Sequence, residues 1–230
     1  MKSLLLCCMM VMSAGLLRAQ NEDALIKKVK AKLDAVNDYQ AKGRMIIDVS
    51  FINAPESDVV VYFKKPNKLK VKKEGGISLL PKGGVSLNLH TLLSDGQFVV
   101  VPAGSAVLEG VAMKMVKLLP LKENSEVVLT TLWIDEREAL IRKSSVTTKE
   151  SGTYDMLLTY GKMKKWGLPD KVVFSFSTKD YKLPKGLSME YEKGGTKKPK
   201  NANEKGSVEI TYSGYDINKG VDDKEFVDEK

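Results

Sequence analysis

The feature that most constrains the fold of this chain is a long succession of short segments that favour β-structure. The segments are rich in Val, Ile, Thr, Tyr and Phe, and most are bounded by Gly, Pro, Asn or Asp. Short connections at 135–138 and 150–152 predict antiparallel hairpins between strands that follow one another. We expect strands at Arg44–Ile52, Asp58–Lys64, Lys68–Lys73, Gln97–Val101, Val111–Leu119, Glu126–Ile134, Leu140–Thr147, Thr153–Tyr160, Lys171–Ser177, Leu187–Glu192 and Ser207–Tyr212. The fold is therefore predicted to be mostly β with few helices, an antiparallel meander of about 10–11 strands that is open or curled toward a barrel.

A single long segment, near the start of the chain, predicts a helix. Asn21 can cap it, and Glu22 and Asp23 fall in the first turn, where acidic side chains suit the positive end of the helix dipole. Apolar residues then recur at helical spacing, at Leu25, Val29, Leu33 and Val36. We expect an amphipathic helix that ends near residues 37–38.

The first residues have the three parts of a secretory signal. Lys2 precedes the apolar run Leu4–Val11, and a small residue, Ala19, stands at the expected cleavage site. We expect residues 1–19 to be a cleaved signal peptide and residues 20–230 to form one domain in the periplasm. The two cysteines, Cys7 and Cys8, lie within the signal, so the mature chain would have neither a disulfide nor thiol chemistry.

The charge of the chain limits its partners. The sequence carries 37 Lys and Arg against 29 Asp and Glu, a net charge of +8. In an exported protein this balance favours anionic lipid headgroups, acidic glycans or an acidic protein, or simply serves solubility. We expect no nucleic-acid partner, no transmembrane segment in the mature chain, and a monomer.

Residues typical of catalysis are scarce in the mature sequence. His90 is the one histidine, and the nucleophile elbow of serine hydrolases is missing. Zinc sites use several His or Cys ligands at set spacing, which the sequence lacks. We therefore expect a protein that is not an enzyme and holds no cofactor or metal. A glycosidase-type carboxylate pair is the alternative that stays open, because the fold rather than the spacing brings such acids together.

Several strands are apolar on both faces, among them Val59–Phe63 and Phe98–Val101. Such strands need cover on both sides, and one helix cannot cover about ten strands. Either the sheet closes around a packed core, or part of its inner face is an apolar cavity for a ligand. The irregular segment Gly75–Leu93 is a candidate lid, and the basic segment Lys193–Gly206 is expected to be an exposed loop.

Four local motifs resemble those of the LolA-type periplasmic carriers of outer-membrane lipoproteins and their LolB- and RseB-like relatives. The motifs are the strand that runs into Lys65-Pro66-Asn67, the hairpin at Leu93–Phe98, the strand–Asp-turn–strand unit at Leu132–Ile141, and the closing strand with its tail at Ile210–Phe226. The sequence departs from the family in two ways. Lys65 stands where the family has the arginine that latches the lid, and the candidate lid precedes the Ser-Asp-Gly hairpin rather than following it.

The resemblance implies an open antiparallel half-barrel that carries or binds an acylated ligand, a lipoprotein or a lipid, in outer-membrane lipoprotein sorting or lipid transport. Inner- and outer-membrane proteins would be its further partners. Lys65 would be the lid latch, and the residues expected to line the apolar cavity are Val49, Phe51, Val61, Phe63, Val71, Val99, Leu132, Ile134, Phe174 and Phe176. The alternative is a protein-interaction or envelope-stress-sensing module on the same fold, without ligand transport.

Overall fold

The computed structural model describes residues 22–49, 55–73, 90, 93, 97–150, 152–177 and 205–227. Helix α1 covers residues 22–34. The ten strands are β1 (Asp38–Asp48), β2 (Ser57–Lys64), β3 (Lys68–Lys73), β4 (Phe98–Leu108), β5 (Val111–Pro120), β6 (Val127–Asp135), β7 (Leu140–Thr148), β8 (Gly152–Thr159), β9 (Lys171–Ser177) and β10 (Lys205–Ile217), and two short 3-10 helices lie at Lys164–Trp166 and Asp223–Phe226.

All ten strands form a single open antiparallel sheet in the order β3-β2-β1-β10-β9-β8-β7-β6-β5-β4. The strands from β4 to β10 follow one another as a meander, and β1 then pairs with both β10 and β2. Strands β3 and β4 are consecutive among the described strands yet lie at opposite ends of the sheet, so the sheet does not close on itself. The architecture is the predicted half-barrel with a helix at its N-terminal side.

The predicted strands agree with the observed ones, and the largest differences have physical causes. Strand β1 begins at Asp38 rather than Arg44, because Tyr39 pairs with Phe63 on one side and with Ile217 on the other. These cross-strand contacts outweigh the low strand propensity of residues 40–43. Strand β10 extends to Ile217 for the same reason. The predicted strand at Leu187–Glu192 lies outside the described residues.

Strand β4 runs to Leu108, well past the predicted end at Val101. Pro102 is tolerated within it because β4 is the last strand of the described sheet, where one missing N–H donor need not break a ladder. The register shifts between Pro102 and Ser105, and Gly104 adopts a φ of 85° there. Pro102 and Gly104 thus lie at the point where the pairing of β4 with β5 changes register.

The pairing of β1 with β10 shifts register between Lys42 and Gly43, where β10 has one extra residue, Ser213, and the two strands come close together. A Cβ atom on Gly43 would lie 2.7 Å from the carbonyl oxygen of Thr211, closer than real Cβ atoms come to any neighbour. Glycine is therefore required at this position for the two strands to pair.

Helix α1 ends at residue 34, earlier than the predicted end near residues 37–38, because β1 already begins at Asp38. The turn between them is fixed by Asn218. Its side-chain amide donates to the carbonyl of Ala35 at 2.9 Å, and its Oδ1 accepts from the backbone N–H of Asn37 at 2.7 Å. The residues after β10 thereby hold the end of the helix against the sheet.

Candidate ligand-binding face

The inner face of the sheet is the face against which α1 packs, and cross-strand register places its residues. Leu132 on β6 is opposite Val116 on β5 and Ser144 on β7, while Val61 on β2 is opposite Ala41 on β1 and Val71 on β3. Since opposed residues in a ladder share a face, these side chains all lie on the inner face. The face is apolar along nearly its whole width and divides into two regions.

The first region, which we call the helix-covered half, spans strands β5 to β9. Four apolar side chains of α1 pack there in one cluster with those of the strands. The helix residues are Leu25, Ile26, Val29 and Leu33, and the buried strand residues are Val116, Leu118, Leu132, Ile134, Ile141, Val146, Tyr154, Met156, Leu158, Phe174 and Phe176, with Val49, Leu93 and Ala139. The apolar side of the amphipathic helix thus packs on about half of the inner face.

Polar contacts fix the helix at both ends of this cluster. Glu22 is 2% exposed, and its Oε1 lies 3.1 Å from Nζ of Lys114 on β5. At the other end, Nζ of Lys32 donates to the carbonyl of Glu138 in the β6–β7 turn. A buried ion pair is costly unless both partners remain, so the Glu22–Lys114 pair selects one position of the helix on the sheet.

The second region, which we call the tyrosine half, spans β10, β1, β2 and β3. Its buried cluster consists of Ala41, Met45, Val59, Val61, Val71 and Ile210, and Tyr39, Tyr212, Tyr215 and Leu69 pack against it. In the part of the chain that the structure describes, no residue of α1 belongs to this cluster. The apolar inner face therefore extends beyond the strands on which the helix packs.

Three tyrosines and a phenylalanine form a connected aromatic wall in this half. The ring centroid of Tyr39 lies 5.2 Å from that of Phe63 and 5.4 Å from that of Tyr215, and Tyr212 lies 5.0 Å from Tyr215. Burial raises the pKa of all three phenols, so their hydroxyls stay protonated. The Tyr215 hydroxyl donates to the carbonyl of Pro169 at 2.7 Å. The wall is therefore a continuous, largely apolar set of rings that carries neutral hydroxyl groups.

The predicted lining residues fall into both halves. Val61 and Val71 belong to the tyrosine half, and Phe63 lies beside it in a small cluster with Val36 and Leu168. Five belong to the helix-covered half: Val49, Leu132, Ile134, Phe174 and Phe176. Phe51 lies outside the described residues. These eight residues, the seven in the two halves and Phe63, are all buried.

The expectation for Val99 is wrong. Its neighbours Phe98 and Val100 pack against the inner cluster, so alternation along β4 places Val99 on the outer face, where it is 46% exposed. The sequence could not show this, because residues 98–101 are apolar without alternation and their pattern does not tell which side chains point inward.

Sequence reasoning missed Tyr39, Ala41 and Met45, which line the tyrosine half. The available signal was the alternation of these residues with Gln40, Lys42 and Arg44. Tyr39 and Ala41 were missed because the strand was expected to begin at Arg44, whereas Met45 lay within the predicted strand and was not chosen as a lining residue.

Lys65 joins the β2–β3 turn to the end of α1. Its Nζ donates to the carbonyl of Asp34 and to Oδ1 of Asn37, the latter at 3.2 Å. A cation at the C-terminal end of a helix also suits the helix dipole. Lys65 is therefore a latch for α1. Its predicted role toward the lid stays a prediction, since Gly75–Leu93 lies outside the described residues except for His90 and Leu93.

His90 packs at the same junction. It is 7% exposed, its ring centroid lies 5.3 Å from that of Phe63, and its Nε2 lies 3.4 Å from Oδ1 of Asp34. Burial lowers the pKa of His90, as does the charge of Lys65, while Asp34 raises it in part. Within the described residues, no group of three or more metal-ligating side chains surrounds it or any other position.

The outer face of β2 and β3 carries a row of lysines, which we call the lysine row: Lys64, Lys68, Lys70 and Lys72. Residues 222–227, which we call the acidic segment, lie across it. Nζ of Lys64 and Nζ of Lys68 each lie 2.9 Å from Oδ1 of Asp223. Hydrogen bonds from these two lysines lower the pKa of Asp223 to about 2.

Comparison with known proteins rests on structure alone, since no protein family and no curated protein matches the sequence. A DUF1329 family protein from Desulfovibrio piger aligns with a TM-score of 0.57 at 10% identity, over 91% of this chain and 97% of that one. An outer-membrane lipoprotein-sorting protein domain from Vibrio parahaemolyticus aligns with a TM-score of 0.53 at 10% identity, over 88% and 94%. A LolA superfamily protein from Nitrosomonas europaea aligns with a TM-score of 0.53 at 11% identity, over 87% and 96%.

These alignments cover nearly the whole of each chain, and they show that this protein has a LolA-like fold. Of the helices that the structure describes, none is long and apolar enough to cross a membrane.

Proposed function

We propose that this protein is a periplasmic carrier that binds an acylated ligand, a lipoprotein or a lipid, against the tyrosine half of its inner face. The observation that carries the proposal is the mismatch between the apolar face and the helix. Residues of α1 pack on β5 to β9, whereas the cluster on β10, β1, β2 and β3 is equally apolar and includes none of them. An aromatic wall beside aliphatic side chains is a suitable surface for acyl chains.

The free energy gained by burying an acyl chain is large enough to hold it. Each methylene that leaves water contributes about 0.8 kcal/mol, so ten buried methylenes contribute about 8 kcal/mol before the cost of association. The two similar proteins whose names refer to lipoprotein sorting or to the LolA superfamily support this ligand class.

The direct test is to purify residues 20–230 from a periplasmic preparation and to compare native with denaturing mass spectra. We expect added mass that is lost on denaturation and is identified as an acylated lipid or lipopeptide. A bare mass, together with no uptake of an added lipid, would overturn the proposal and favour the alternative of a protein-interaction or stress-sensing module.

Two matched variants locate the site. Val61 and Val60 are neighbours on β2 that point to opposite faces, Val61 to the inner cluster and Val60 to the outer face opposite Lys72. Val61→Trp should fill the tyrosine half and lower lipid uptake several-fold, whereas Val60→Trp should leave uptake unchanged. Thermal melting of both variants checks that the loss does not come from unfolding, since overpacking destabilises a core by about 1–3 kcal/mol.

A further inference from the structure

The lysine row and the acidic segment contact each other through several ion pairs and hydrogen bonds between defined residues. Nζ of Lys72 lies 2.7 Å from Oε2 of Glu225, and Nζ of Lys70 donates to the carbonyl of Val227 at 2.7 Å. Nζ of Lys68 lies 5.7 Å from the centroid of the Phe226 ring. Together with the two bonds to Asp223, these contacts engage carboxylates two residues apart, the aromatic ring after the second of them, and a backbone carbonyl.

The acidic segment contributes nothing to the core. Its 3-10 helix, Asp223–Phe226, has no buried residue, and Val227 is 64% exposed. The side chains of Asp223 and Glu225 are 63% and 23% exposed, and those of Lys64, Lys68 and Lys72 are 34%, 44% and 33% exposed. Ion pairs at such exposure contribute little to stability and are screened by salt, so the segment is held by contacts that a competitor can replace.

The surface under the segment is preorganised. The lysines come from two adjacent strands that pair Lys64 with Lys68 and Tyr62 with Lys70, so the sheet fixes their spacing. The ring of Tyr62 lies 5.5 Å from Nζ of Lys72 and adds an aromatic surface to the row. A row of cations with aromatic neighbours on a rigid sheet is suited to carboxylates rather than to an apolar ligand.

We propose that the lysine row is a docking surface for an acidic segment of a partner protein, with two carboxylates followed by an aromatic side chain, and that residues 222–227 occupy it as an internal competitor. The occupant follows from what already lies on the row, which is a peptide of this chemistry. Binding of the partner displaces the acidic segment and exchanges one set of ion pairs for another. The surface lies on the outer face, so this docking is independent of the acyl ligand on the inner face.

The test uses a fluorescein-labelled peptide with the sequence of residues 221–227, Val-Asp-Asp-Lys-Glu-Phe-Val. Its binding to residues 20–230 is followed by fluorescence anisotropy, with the wild type and with the double variant Asp223→Asn, Glu225→Gln. The variant weakens the internal competitor without touching the core, so it should bind the peptide about tenfold more tightly than the wild type. Raising the salt concentration should weaken binding to both proteins.

Two controls define specificity. Adding Lys68→Glu and Lys72→Glu to the variant should abolish binding, whereas adding Lys117→Glu and Lys162→Glu, the same charge change at exposed lysines elsewhere, should not. A control peptide with every acid replaced by its amide should not bind.

The proposal is overturned if the double variant binds the acidic peptide no better than the wild type. The lysines would then serve only to keep the edge strand β3 from pairing with another chain. It is also overturned if the variant binds phosphatidylglycerol vesicles but not the peptide, since the row would then recognise an anionic membrane surface. Neither result bears on lipid uptake by the inner face.

Discussion

The two halves of the inner face are both apolar, but α1 packs on only one of them. In the helix-covered half, α1 places Leu25, Ile26, Val29 and Leu33 on the strands, and an ion pair fixes its position. In the tyrosine half, the sheet presents an aromatic wall with no contribution from α1. The comparison teaches that an amphipathic helix can pack on one part of a wide apolar sheet while the sheet forms a second buried cluster to which the helix contributes no residue.

The largest effect is expected where the helix is fixed to the sheet. Lys114→Met leaves the Glu22 carboxylate buried without its partner, so the free energy of unfolding should fall by about 3–5 kcal/mol in urea denaturation. Lys143→Met is the matched control, since Lys143 pairs with Asp155 at 3.1 Å in a partly exposed position on the outer face. Lys143→Met should lower the free energy of unfolding by less than about 1 kcal/mol. Equal losses for the two variants would show that the buried pair does not fix the helix.

The second prediction separates the two halves. Leu132→Ala in the helix-covered half and Met45→Ala in the tyrosine half should each cost about 2–5 kcal/mol, because both side chains are buried. Their response to lipid should differ. A bound ligand raises the melting temperature, and this increment should persist in Leu132→Ala and shrink in Met45→Ala. If both variants keep the full increment, the ligand lies elsewhere.

A smaller effect is expected at Ser144, which lies at the centre of the helix-covered half. It is fully buried, and its Oγ has no hydrogen-bond partner among the described residues. A buried polar group without a partner destabilises the folded state, so Ser144→Ala should raise the free energy of unfolding by about 1 kcal/mol. Ser145→Ala, on the opposite face, should change it little. A loss of stability in Ser144→Ala would show that the hydroxyl is satisfied in solution.

The smallest effect is a dependence on pH at His90. Because burial and Lys65 lower the pKa of His90 in the folded protein, the folded state binds its proton more weakly than the unfolded state does. Its contribution to stability is therefore complete above the unfolded pKa of about 6.5 and is lost as the pH falls below it. The wild-type melting temperature should fall more than that of His90→Gln between pH 8 and pH 5. Parallel curves for the two proteins would contradict this.

Much of the fold could be predicted from the sequence because strand segments with clear turns between them determine their own pairing. Strands β3 and β9 were predicted with their observed ends. The start of β1 could not be predicted, since it depends on pairing with Phe63 and Ile217, which are distant in the sequence. Local propensity carries no information about such partners.

The candidate site was predictable in its chemistry and less so in its geometry. Val61 was identified because its strand is apolar on both faces and needs cover, whereas Val99 was misplaced because an unbroken apolar run does not reveal its inward face. The position of α1 depends on Glu22 and Lys114, two charged residues 92 positions apart that no local pattern connects.

Ile47 on β1 and Val208 on β10 pack against both clusters, so the two halves have these two side chains in common. Paired with each other across the ladder, they form the seam between the part of the sheet that carries the helix and the part that carries the aromatic wall. A shift of either side chain changes the packing on both sides at once. The seam therefore joins the packing of the helix-covered half to that of the tyrosine half, because both clusters rest on the same two side chains.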